Sequence, residues 1–260
     1  YYGVAAVTRD RGKNKMPSLR SLTRRWLPQK LKKSFQQALL GYHSYAPSFS
    51  GAGEDMILHH LVGSDKMDGF YVDVGAYHPM HLSNTYFFYL KGWRGINIEA
   101  RPGSRSLFDR VRPNDINLEV GVSRERGLLT YHFIGDDSTM NSFSPEFLEH
   151  IGMLREVERE ILLPVCPLAE LLERHLPAGQ LIDFLNVDVE GHDLDVLESN
   201  DWRRFRPRFV VAEEAQADQG SSEIVRAMRG HGYEVCAQNV IILDKVNEYF
   251  FVDRERVPGD

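Results

Sequence analysis

The sequence predicts an α/β domain, a doubly wound and mostly parallel sheet with an antiparallel edge hairpin. Three observations carry this. Short apolar runs rich in Val, Ile, Phe and Tyr alternate with helix-length segments between residues 70 and 252. The connections are brief, as expected of βαβ units. Acids recur where the runs end, at Asp73, Glu99, Asp188 and Glu213.

In chain order, the pattern predicts helices over 31–41 and 54–62, then a strand over 70–74 that ends in a Gly turn at Gly75. A helix over 83–91, a strand over 95–98 and a helix over 104–111 follow. Strands are expected over 116–122 and 128–134. Residues 135–164 read as a lid-like excursion containing a charged helix over 145–162. Alternation resumes with a helix over 168–175, a strand over 181–187, a helix over 194–199, a strand over 208–212 and a helix over 222–230. Two or three strands, over 233–237, 240–243 and 249–252, close the chain as an antiparallel edge. The organisation expected is a basic, partly helical arm over 1–49 and a catalytic domain over 50–260.

In open α/β sheets, ligands lie beyond the carboxyl ends of the strands. Glu99 ends the second strand, 24 residues after Gly75. An acid there suits a ribose, because one carboxylate accepts hydrogen bonds from both sugar hydroxyls. A pyrophosphate cradle needs GxGxxG, but Tyr77, His78 and Pro79 follow Ala76, and there is no P-loop lysine. A ribose acid without a phosphate cradle points to an adenosine cofactor lacking phosphates, for which S-adenosylmethionine is the common case.

Several blocks, in order, resemble the FkbM-type methyltransferases. They are Tyr71 to Ala76 with His78-Pro79-Met80-His81-Leu82-Ser83-Asn84-Thr85, Lys91 to Glu99, Ser138-Thr139, Phe184 to Gly191, and Arg206-Pro207 running into Glu213. The resemblance implies a class I methyltransferase sheet. It also implies cofactor contacts at Asp73, Gly75, Ala76, Glu99, Gly121, Val122 and Asp188, with Tyr77, Ser83 and Ala100 beside them. The expected reaction is O-methylation of a sugar, glycan or secondary metabolite bearing a free hydroxyl. The family usually has Glu two residues after the Gly191 position, where this chain has Asp193.

For catalysis, Asp188, Glu190 and His192 are the candidates. His192 is expected to face the methyl group and take a proton, since an imidazole titrates near neutrality. Asp188, Glu213 and Glu214 end neighbouring strands and form a candidate Mg²⁺ set, because that ion prefers oxygen ligands. The bland alternative has them touching the cofactor's amino group and orienting loops. Rival readings of the domain are nucleotide binding, or partner binding without catalysis on the same fold.

Two cysteines, Cys166 and Cys236, lack metal-type spacing and favour a reducing compartment, with the cytoplasm as default. No apolar run approaches the roughly 18 residues of a membrane span. The apolar start without Met reads as a trimmed chain. Net charge is −6, yet Arg9 to Lys33 hold ten cations and one acid, which leaves −15 for the rest. With Trp26 as its only aromatic, that arm lacks the stacking platforms of a nucleic-acid binder. Pro17 and Pro28 restrict any helix to two or three turns, short for a membrane anchor. The arm is therefore expected to dock on its own acidic body or on a sister subunit. Vesicle sedimentation and sedimentation velocity, with and without residues 1–33, check this. Arm-dependent binding to anionic vesicles at physiological salt, with oligomeric state unchanged, contradicts it.

Overall fold

Five parallel strands bury both their faces, so they read as nearly unbroken apolar runs. The computed structural model describes residues 47–215, 222–242 and 246–256; the arm and the expected helix over 31–41 lie outside the described residues. Within Pro47–Asp260 the order is α1 (Glu54–Val62), β1 (Phe70–Val74), α2 (Tyr86–Lys91), β2 (Arg94–Glu99), α3 (Ser104–Val111) and β3 (Ile116–Glu119). Then come β4 (Gly121–Val122), β5 (Gly127–Phe133), α4 (Pro145–His150), β6 (Arg159–Cys166), α5 (Leu168–His175) and β7 (Phe184–Val187). The last elements are α6 (Asp193–Glu198), β8 (Phe209–Ala215), α7 (Glu223–Gly230), β9 (Tyr233–Ile242) and β10 (Val246–Asp253).

The main sheet runs β3-β2-β1-β7-β8-β10-β9, with β10 antiparallel to both its neighbours. Strand order reverses between β1 and β7, so the switch-point crevice opens at their carboxyl ends. Strand alternation divides the interior in two. Phe70, Val72 and Val74 join one core with Ile96, Leu185 and Val210, while Tyr71 joins the other with Phe88, Trp93, Phe184 and Phe250. Trp93, fully buried, is a core residue and donates to the Lys66 carbonyl.

Two expectations need correction. The charged helix over 145–162 is only Pro145–His150, because Gly152 takes the left-handed conformation (φ 78°) and stops it. The apolar run beyond it becomes β6, which pairs antiparallel with β5 from Gly127↔Val165 to Phe133↔Arg159. The strand over 116–122 is two strands: β3 ends at Glu119, and Gly121–Val122 leave the main sheet to pair with Val165–Cys166. At the edge, the two or three strands expected are two, with the runs over 233–237 and 240–243 joined in β9.

A polar row crosses the carboxyl end of the second core, with Asn117, Asn97, Asp73 and Asn186 in register across β3, β2, β1 and β7. Above it sits Arg112, fully buried at the end of α3. Its Nε donates to the Pro79 carbonyl (2.7 Å), Nη2 to Ser83 Oγ (2.7 Å), and Nη1 to Thr85 Oγ1 (2.8 Å) and Asn97 Oδ1 (3.2 Å). The guanidinium therefore holds the loop between β1 and α2 from beneath. Tyr86 and Phe108 rings lie 5.3 and 5.6 Å from it. Arg112→Met would leave these acceptors buried without a donor. Leaving a buried polar group unsatisfied costs about 1–3 kcal/mol, so urea unfolding should show a destabilisation of at least that order. A change below about 1 kcal/mol contradicts this role.

Candidate functional site

A cavity of about 370 Å³ opens at the carboxyl ends of β1, β2 and β7, a size suited to a small ligand. The sequence places its first wall through Gly75, whose φ of 80° is available to glycine at low cost. A Cβ there would lie 1.7 Å from the Asp188 carbonyl oxygen, so the turn presses against the end of β7. The Gly75 and Ala76 amides donate to Ile98 O (3.0 and 3.2 Å), which ties the turn to β2.

Glu99 forms the next wall. It is 9 % exposed, and its two carboxylate oxygens accept the amides of Tyr77 (2.7 Å) and Arg101 (2.8 Å). Burial raises its pKa against the pull of those amides and the Arg101 charge. Each oxygen keeps a second lone pair, which suits a carboxylate that receives ribose hydroxyls. Ala76, Tyr77, Ser83, Ala100, Gly121 and Val122 also line the cavity, so every residue expected at the cofactor lies on its wall. The second turn's Ser138 and Thr139 line it too.

Asp73 is 2 % exposed and serves as an anchor below this wall. It accepts from Thr85 Oγ1 (2.6 Å) and Asn186 Nδ2 (3.0 Å). Burial raises its pKa, opposed by Thr85, Arg112 and Asn186. Asp188 faces the cavity and is half-buried. Burial, followed by the charges of Asp73, Glu54 and Glu99, lifts its pKa to about 7. Glu190 lies beside it with φ 54°, and burial with the Asp188 and Asp193 charges raises its pKa well above the usual range.

Two expected residues are placed elsewhere. His192 is not on the wall of this cavity: its Nε2 meets Ser123 Oγ (3.2 Å) and its Nδ1 meets Asp195 (3.2 Å). The left-handed pair Glu190–Gly191 turns the chain away before His192 is reached. Glu214 accepts from Ser222 and from the amides of Glu223 (2.8 Å) and Ile224 (3.3 Å), so it caps α7. Glu213 lines the cavity, but among the described residues no three His, Cys, Asp or Glu side chains are grouped to hold a metal. The expected Asp188–Glu213–Glu214 set is thus dispersed.

Sequence reasoning missed several contributors. Glu248 and Glu54, 3 % and 4 % exposed, line the cavity from β10 and α1. Asn141 orders the turn over it by accepting the Ile134 amide (2.7 Å), and Ser142 Oγ donates to Glu190 O (2.6 Å). Tyr77 and Leu82, like Glu190, take left-handed φ without being glycine, and all three line the cavity. An Asn or Ser cluster is a weak turn signal, and a left-handed non-glycine residue has no sequence signal at all.

The profile of the methyltransferase FkbM domain matches residues 73–235. The chain belongs to the FkbM methyltransferase family. It is 29 % identical over 176 residues to the 31-O-demethyl-FK506 methyltransferase FkbM of Streptomyces tacrolimicus, an alignment covering 55 % of this chain and 66 % of that protein. Among solved structures, it is similar to an FkbM methyltransferase from Methylobacillus flagellatus (12 % identity, TM-score 0.40, 71 % of this chain and 44 % of that one). It is also similar to an RNA methyltransferase candidate, PH1948, from Pyrococcus horikoshii (11 %, 0.42, 85 % and 98 %).

In this FkbM-family domain, Glu99→Ala should weaken S-adenosylhomocysteine binding by roughly 10- to 150-fold, the worth of a lost charge-assisted hydrogen bond. Isothermal titration on folded protein measures it. Unchanged affinity contradicts the ribose assignment.

Proposed function

We propose that this domain transfers a methyl group from S-adenosylmethionine to a hydroxyl oxygen of a small-molecule acceptor. One observation carries the reading: the Gly75 turn, beside which the cofactor would pass, packs on the Asp188 backbone, and the half-buried Asp188 carboxyl on the same cavity wall has its pKa raised to about 7. The oxygen in the name of the Streptomyces tacrolimicus relative supports a hydroxyl acceptor.

When bound, the cofactor supplies an electrophilic methyl on a sulfonium. Glu99 would hold its ribose, and the Gly75 and Ala76 backbone would let it approach the sheet closely. The chain's own work is alignment and proton removal. Asp188 accepts the hydroxyl proton as the new bond forms; a carboxyl with a near-neutral pKa is matched to that task. Glu190, held by Ser142 on its carbonyl, keeps the acceptor side acidic.

Asp188 also links cofactor binding to pH. The cofactor carries a net positive charge and favours the ionised carboxylate. Below about pH 7 binding must therefore expel a proton, so affinity for S-adenosylmethionine should rise with pH and level off above that value. S-adenosylhomocysteine, without the sulfonium charge, should respond less. In a panel of hydroxylated acceptors with isotope-labelled methyl donor, the label is expected on oxygen. Asp188→Asn should lower kcat by about 10²–10⁴ while S-adenosylhomocysteine still binds. Label on nitrogen or carbon, or full turnover in the variant, contradicts the reading.

A further inference from the structure

The acids at the far end of the cavity have a different arrangement. Strands β8 and β10 place Glu213 directly opposite Glu248, on the face they share with the buried Val211 and Phe250. Like charges opposed across strands are destabilising, yet both line the cavity. Glu248 accepts one long hydrogen bond, from Asn84 Nδ2 (3.5 Å), and its buried Oε2 has no partner within the protein. Glu54 lies on the same wall, with the Ala52 amide on its carboxylate (2.9 Å). Seven carboxyl side chains line the cavity among the described residues, against one cation, Arg101. Arg101 donates to Tyr77 O (3.4 Å), at the Glu99 end. Strand β10 stands four strand spacings from β2 in the sheet order, roughly 19 Å. A cofactor seated at Glu99 leaves the Glu213–Glu248 end to the acceptor.

We propose that Glu213, Glu248 and Glu54 form an anchoring subsite for a protonated amine, so that the acceptor carries an ammonium group as well as its reactive hydroxyl. The assignment of this end to the acceptor rests on the methyltransferase reading above. The ionised form of Glu248, which a bound cation favours, leaves Oε2 short of a donor, and an ammonium offers three donors and no acceptor. A neutral hydroxyl offers a single donor and no charge. Burial, then the charges of Asp188, Glu190 and Asp193, push Glu213 up to about 11. Burial, then the charges of Glu54, Asp188 and Asp193, raise Glu248 well above the usual range, and an incoming cation relieves that repulsion.

The test titrates n-butylammonium and n-butanol into the protein, unloaded and saturated with S-adenosylhomocysteine, by calorimetry. The ammonium is expected to bind at least tenfold more tightly than the alcohol, with Glu248→Gln and Glu213→Gln each erasing that preference. Near-UV circular dichroism confirms that the variants are folded, and two variants guard against loss of one. Equal binding of amine and alcohol, or an amine preference that survives in both variants, overturns the proposal. So does Mg²⁺ that displaces the amine and needs the same two glutamates, which marks a divalent-cation site instead. If S-adenosylhomocysteine fails to bind while the glutamate-dependent amine preference persists, the cofactor reading falls and the amine subsite stands.

Discussion

One buried guanidinium organises the upper half of this domain. Arg112 binds the Pro79 carbonyl, Ser83, Thr85 and Asn97, and no carboxylate lies among those hydrogen-bond acceptors. Asp73 is reached through Thr85. From there the hydrogen bonds continue: Asn186 donates to Asp73, Asn84 donates to Asn186 (3.1 Å), and Asn84 reaches Glu248. A single polar chain thus runs from the end of α3 across β1 and β7 to β10. Buried networks of this kind rigidify when every member is satisfied. Here the last member, Glu248, is the one left incomplete.

That incompleteness is part of a larger electrostatic imbalance. A domain's net stability is only about 5–15 kcal/mol, so enclosing several carboxyl groups around one cavity is a substantial load. The fold reduces it by letting Asp188, Glu190, Glu213 and Glu248 hold protons more tightly than free carboxyls do. Positive ligands reverse this shift. The cavity is thereby matched to cationic contents, and the same acids that weaken the free protein supply attraction when those contents arrive.

Much of the cofactor end was legible because parallel strands announce their ends. Asp73, Glu99 and Asp188 each terminate an apolar run, and the Gly75 turn follows the first. Glu248 was invisible to that reasoning. Its strand is antiparallel, so it reaches the same edge of the sheet near its start rather than its end. Arg112 has the sequence appearance of a solvated cation at a helix end, and only tertiary packing buries it. His192 sits two residues from Glu190 in sequence, but a left-handed Glu–Gly pair between them redirects it. The charges spread over 145–162 suit a helix, but left-handed Gly152 ends it at His150 and the rest of the run pairs with β5.

Glu190 illustrates how such a site constrains change. Its backbone sits at φ 54°, a conformation that costs a residue with a side chain roughly 1–2 kcal/mol and costs glycine almost nothing. Selection for thermal robustness alone would drive position 190 toward glycine. An engineer hardening this protein by the usual loop substitutions would meet the same temptation, and would trade away a carboxyl on the cavity wall.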